Sequence, residues 1–153
     1  MAWDSATIAT ATDVRNRYKN VGELTGESQE SSQNTVIDEY IEKAKDYIGR
    51  KLDVVLKPMH ADYDYDATDL KELIHNPTIF KHSCVAWTLK LLFEDNAFNE
   101  EDFNNMKMKD FEKEFEREFA IAKQLVEFDK DESGDIDQEE EAGGIGSNHF
   151  FRV

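Results

Sequence analysis

Apolar residues recur along this chain at steps of three and four, and that spacing constrains the fold more than any other feature. Val36, Ile37, Tyr40, Ile41, Ala44, Tyr47, Ile48 and Leu52 fall on one helical stripe. Phe111, Phe115 and Phe119 step by four, Ala122, Leu125 and Val126 continue them, and Glu and Lys fill the opposite face. Between these stripes Ile79, Phe80, Cys84, Val85, Trp87, Leu89, Leu91 and Leu92 run apolar almost all round, as a central buried helix does. Asn76 as N-cap and Pro77 at the first helical position mark its start. A shorter helix begins at Thr12, with Asp13 in its first turn, and runs through Tyr18, so that Val14 and Tyr18 share a face. Thr35 with Asp38 resembles a capping box opening the second helix, and Gly49 weakens that helix's last turn. The last long helix starts near Asn99 or Glu100.

The expected fold is therefore mainly α, a small four-helix domain over residues 1–128 with an irregular insertion and an extended C-terminal tail. Residues 21–34 (VGELTGESQESSQN) read as a polar loop. Residues 53–75 read as the irregular insertion: DVVLKP suits a short strand ending at Pro58, and ADYDYDATDL alternates like an edge hairpin or a long loop. After a loop at 129–140, residues 141–153 carry Gly143, Gly144 and Gly146 and read as a flexible arm.

Charge narrows the function. The 153 residues hold 34 Asp and Glu against 18 Lys and Arg, a net −16. The excess is uneven, since residues 100–141 alone hold 17 acids and 6 bases. Such a surface repels phosphate, which disfavours nucleic-acid reading through basic contacts. The single Cys84 precludes an internal disulfide framework and fits a reducing compartment or a particle assembled in the cytoplasm. No run approaches a membrane span, and MAWDSATIATA lacks the basic and apolar regions of a secretion signal, so a soluble, non-secreted protein is expected.

Catalytic constellations are poor, and no enzyme is expected. His82 and Cys84 lie two apart on a helix and do not face each other. His75 and His82, two turns apart, suit satisfied structural histidines on a core face, and Cys84 suits a buried thiol. Asp62, Asp64, Asp66 and Asp69 suit a solvated loop, because Ala67 and Leu73 occupy the glycine and bidentate positions that a calcium loop requires.

The sharpest motif is DKDESGDIDQEE at 129–140, which is similar to an EF-hand calcium loop. Asp129, Asp131, Ser133, the carbonyl of Asp135, Asp137 and Glu140 fill its six ligand positions, with Gly134 at the sharp turn and Ile136 at the apolar position. The incoming helix is expected to end at Phe128. Gly143 and Gly144 stop the outgoing helix, and no second loop pairs with this one. The implied ligand is Ca2+, held as a structural clip with affinity of roughly 10⁻⁴–10⁻³ M; the bland alternative is a solvated acidic linker. Beyond it Phe150, Phe151 and Arg152, residue types that anchor interfaces, suit an arm docking on a neighbouring chain or folding back onto the domain.

The order of elements resembles the head–tail connector (adaptor) proteins of tailed bacteriophages over roughly residues 10–128. Their T-x-x-D-V/L-R-x-R-Y opening falls on Thr10, Asp13, Val14, Arg15, Arg17 and Tyr18, and their second-helix pattern on Ile41, Ala44, Ile48 and Leu52. The resemblance implies a virion protein of the head–tail junction: a homo-oligomeric ring, typically a dodecamer, docked on the portal protein and presenting a platform to the neck or tail completion protein. It implies that DNA passes through without being specifically bound, and that the C-terminal arm grips the portal or a neighbour. Acids of the second or fourth expected helix would then face the channel, repelling DNA so that it slides. The alternative function is a small calcium-binding regulatory or interaction module.

Overall fold

Helix formation follows the apolar spacing, with corrections at the boundaries. The computed structural model describes residues 3–26, 34–59 and 70–127. Its α-helices are α1 (Ala11–Arg17), α2 (Gly22–Thr25), α3 (Thr35–Met59), α4 (Lys81–Asp95) and α5 (Phe103–Leu125). Turns of 3-10 helix occupy Lys19–Val21, Leu70–Leu73 and Pro77–Phe80, and among the described residues there is no strand. The mainly helical expectation holds.

Helix α4 is the hub. Nine of its residues, from Ser83 through Leu89 together with Leu92 and Phe93, are buried. It packs between α3, which buries Ile37, Ile41, Ala44, Ile48 and Leu52, and α5, which buries Phe111, Phe115, Phe119 and Ala122. Aromatic rings carry the contact across all three helices. Tyr47 of α3 stacks on Trp87 of α4 with centroids 4.0 Å apart, and Trp87 meets Phe115 of α5 at 4.8 Å. One end of the seam is closed by Phe93 stacked on Phe111 at 5.6 Å. Each such ring removes enough apolar surface from water to contribute about 2–3 kcal/mol.

The expected strand over residues 53–58 is instead the end of α3, which runs unbroken to Met59 with Pro58 in its last turn. The β-branched pair Val54 and Val55 favours a strand only weakly. Packing decides: Leu52 is fully buried, Val55 rests on the core, and Asp53 is ion-paired with Lys71 at 3.2 Å. Of the expected irregular insertion, residues 70–74 are also ordered, ending in fully buried Ile74. The Asp62, Asp64, Asp66 and Asp69 run lies outside the described residues. The expected polar loop at 21–34 likewise begins as structure, since Val21 is fully buried and α2 follows, closed by Gly26 in the left-handed region at φ 74°. The Thr35–Asp38 cap shifts by one residue: Thr35 is already helical, and the Asn34 carbonyl accepts from the Asp38 amide at 2.8 Å.

Gly49 does not end its helix; it lets Trp3 in. A Cβ built there would lie 3.0 Å from Trp3 Nε1. Trp3 is 2% exposed, meets the Phe80 ring edge-on at 5.7 Å, and leads a buried opening segment of Ala6, Ile8 and Ala9. Lys45 of α3 lays its stem along this segment and donates from Nζ to the Asp4 carbonyl at 2.9 Å.

Two substitutions test this packing by urea denaturation. Helix propensity alone would make Gly49→Ala stabilising by about 1 kcal/mol. Displacing the wedged Trp3 outweighs it, and a net loss of about 1–2 kcal/mol is expected. Phe115→Ala, which removes the ring shared by both seams, should lose about 3–5 kcal/mol.

Candidate functional site

The opening pattern T-x-x-D-V-R-x-R-Y folds into a brace between α1 and the rest of the domain. Thr10, not Thr12, is the N-cap of α1: its hydroxyl accepts from the Asp13 amide at 3.3 Å, and the Asp13 carboxylate accepts from the Thr10 amide at 2.9 Å. Asp13 is also ion-paired with Lys81 at the start of α4, at 2.9 Å. Val14 is fully buried. Arg15 donates twice to Asn34 Oδ1, which ties α1 to the residue before α3. Arg17 reaches α5 as a two-pronged fork, Nε and Nη2 each 3.0 Å from a Glu114 oxygen, with its guanidinium over the Phe111 ring. Tyr18 ends the helix edge-on to Phe93 at 5.1 Å.

Arg17 and Glu114 line two clefts on the α1–α5 face. One, of about 300 Å³, is walled by Asp13, Lys81, His82 and Glu118 over a floor of Val85 and Ala86. The other, of about 360 Å³, has Tyr18 and Phe111 in its lining with Lys107, Lys113 and Arg117 around them. Chemically these are ion-pair clefts suited to polar contact.

His82 is exposed on the first cleft, which corrects the expectation that it shares a core face. His75 lies before α4, with its Nδ1 buried and without a hydrogen-bond partner among the described residues. Cys84 is buried as expected, and burial pushes its thiol up to about 12, which leaves it inert as a nucleophile. Tyr40 donates to Asp95, tying α3 to the end of α4, and that carboxylate raises the phenol to about 12.

Asn76 departs from its expected role. It makes no side-chain cap; its amide donates to the Leu125 carbonyl at 3.0 Å and its oxygen accepts from the Glu127 amide at 2.9 Å. The His75 amide adds a third bond, to the Glu127 carbonyl at 2.7 Å. This clamp ends α5 at Leu125, with Val126 extended, rather than at Phe128 as a helix running straight into a calcium loop would require. The loop ligands Asp129, Asp131, Ser133, Asp135, Asp137 and Glu140, and the arm residues Phe150, Phe151 and Arg152, lie outside the described residues. Among the described residues no three His, Cys, Asp or Glu side chains are grouped to hold a metal, and no helix is long and apolar enough to cross a membrane.

No family model, curated protein or solved structure matches the chain.

Sequence reasoning missed the buried opening segment, the Thr10 cap, the Arg17–Glu114 fork and the Asn76 clamp. The first two had signals. Trp3, Ala6, Ile8 and Ala9 are apolar at close spacing, and Thr10 with Asp13 is a capping box in plain form. Nothing in the sequence pairs Asn76 with residues some fifty positions away.

Two carboxylates, Asp13 in this brace and Glu72 beside Asp4, are shifted in opposite directions. Burial alone would raise Asp13, but its bonds from Lys81 and Thr10 outweigh that and hold it below its ordinary 3.8. Its stabilisation is therefore present above that value and lost as pH falls through the folded pKa. Burial raises Glu72 above 4.5, and the neighbouring Asp4 charge adds to it. Its contribution is present at acid pH and lost as pH rises through the raised pKa. Denaturation midpoints across pH should show Asp13→Asn removing part of the acid loss, and Glu72→Gln stabilising the protein at neutral pH but not in acid.

Proposed function

We propose that this chain is a head–tail connector (adaptor) subunit of a tailed bacteriophage, assembling as a ring on the portal and passing DNA without binding it specifically. The observation that carries the reading is the opening motif. Each residue that the resemblance to connectors singles out has a structural task here: Thr10 and Asp13 cap, Val14 packs, Arg15 and Arg17 tie α1 to α3 and α5, and Tyr18 seals the aromatic seam. A pattern used throughout is better support than a pattern merely present.

Two further features suit the role. The outer face of α3 exposes Asp38, Glu39, Glu42 and Asp46 against Lys43 and Arg50, an acidic face of the kind a DNA channel needs. The buried Cys84 and the ion-paired clefts suit an architectural rather than a catalytic role. On this reading the chain works at the head–tail junction of the virion, after assembly in the host cytoplasm, between the portal and a neck or tail completion protein.

The alternative is a calcium-binding regulatory module, favoured by the complete ligand pattern at 129–140. The connector reading absorbs that loop as a clip on the chain leaving the Asn76 clamp. Circular dichroism with calcium and with EDTA, paired with co-sedimentation on portal rings, separates the two. A connector keeps its helix signal within a few per cent under both conditions and sediments with the portal. A sensor changes its helix content markedly on EDTA addition and stays in the supernatant.

A further inference from the structure

The turn between α4 and α5 displays a phenylalanine to solvent on a rigid mount. Phe98 is 92% exposed, the most exposed large apolar side chain among the described residues. The turn that carries it is fixed by side-chain hydrogen bonds. Asp102 caps the Asn104 amide with one oxygen at 2.8 Å and accepts from the Phe98 amide with the other at 2.9 Å. Asn96 donates to the Leu92 and Leu24 carbonyls, Asn104 donates back to the Asn96 carbonyl, and Asn105 donates to the Glu100 carbonyl. Phe103 and Met106, each more than half exposed, widen the apolar tip. Because the backbone of the turn is already held, docking through it orders only the side chain, which suits an interface anchor.

Charge says what the anchor fits. Glu100 and Glu101 flank it, both exposed and neither ion-paired among the described residues. The matching receptor is on the same chain. The 360 Å³ cleft sets Arg17, Lys107, Lys113 and Arg117 against only Asp110 and Glu114, a net positive patch on a protein of net charge −16. Its half-buried Tyr18 offers aromatic surface above the buried Phe111, and Lys113 has no ion pair among the described residues. An aromatic with two carboxylates meets a cleft with the Tyr18 ring and four cations, of which Arg17 and Arg117 already pair with Glu114 and Glu118 while Lys107, like Lys113, has no ion pair among the described residues.

We propose that the Phe98 tip of one copy docks into the Arg17–Lys113 cleft of a second copy of this chain. Phe98 rests against Tyr18 and the Arg17 guanidinium, while Glu100 and Glu101 meet Lys107, Lys113 and Arg117. Tip and cleft adjoin on α5, where Lys107 lies over the Phe103 ring, but are made of different residues, so the contact is heterologous and repeats from copy to copy, the arrangement from which a closed ring is built. The inference rests on the connector reading and supplies its subunit contact. The Arg17–Glu114 fork then has a second task, holding one cleft wall in place.

Sedimentation velocity on the full chain tests it, with circular dichroism verifying that each variant is folded. Phe98→Asp puts a third carboxylate on the tip, and Lys107→Glu with Lys113→Glu reverses the cleft; all three sites lie outside the buried core. Each variant alone should self-associate at least about 10-fold more weakly than wild type. High salt should weaken the wild-type assembly. Mixing the two variants is the decisive arm: the Phe98→Asp chain keeps an intact cleft and the reversed chain an intact tip, so the mixture forms pairs and stops there. Wild-type assembly by either variant alone, a mixture that stays monomeric, or a wild type that is monomeric at every concentration overturns the docking. Portal binding is read separately. If the variants still form rings that bind the portal, the docking fails and the connector reading stands; if the wild type assembles through the tip but ignores the portal, the reverse holds.

Discussion

The structure depends on burying α4 from every side. A helix that is apolar almost all round has no face to give to water, so other elements must cover each flank. Helix α3 covers one flank through Tyr47 and α5 another through Phe115, the two rings meeting at Trp87. The opening segment closes what is left, with Trp3 against Phe80 and Tyr18 against Phe93. Each of these described elements is recruited by that one demand. Short α1, which at seven residues would not persist alone in water, is held by burial of Val14 and by the arginines it sends to its neighbours.

That arrangement divides the polar work into two kinds. At the helix ends, polar side chains mend the backbone: Asn76 secures the end of α5, Asn96 the end of α4, and Thr10 with Asp13 the start of α1. These bonds set directions more than they add stability, because each replaces a bond to water at a gain of about 1 kcal/mol. Outside, charge sorts into patches. The outer face of α3 is acidic, the α4–α5 turn is apolar with acids beside it, and the α1–α5 cleft is cationic. An ion pair as exposed as Arg17 with Glu114 contributes at most about 1 kcal/mol, so its use lies in positioning.

Much of this was legible in the sequence and some was not, for reasons of range. The stripes of α3 and α5 and the all-round apolarity of α4 are local patterns, and the helices lie where those patterns put them. The failures share a cause: long-range contacts overrode local preference. Val54 and Val55 suggested a strand but were carried along in α3, since Leu52 and Val55 find a core there. Gly49 suggested an end but was a gap for a tryptophan forty-six residues earlier. Asn76 suggested a cap but was taken by residues 125–127. In the candidate surfaces, the residue types were visible while their partners were not: Arg17 stood out, and Glu114 did not.

The central claim is the proposal that this brace-and-hub domain assembles as a ring on a portal. Electron microscopy of the purified chain mixed with tailed-phage portal rings addresses that claim most directly. The account expects an added ring-shaped layer on one face of the portal, coaxial with it and with an open central channel. Portal particles left unchanged, with the chain free and monomeric beside them, would contradict it.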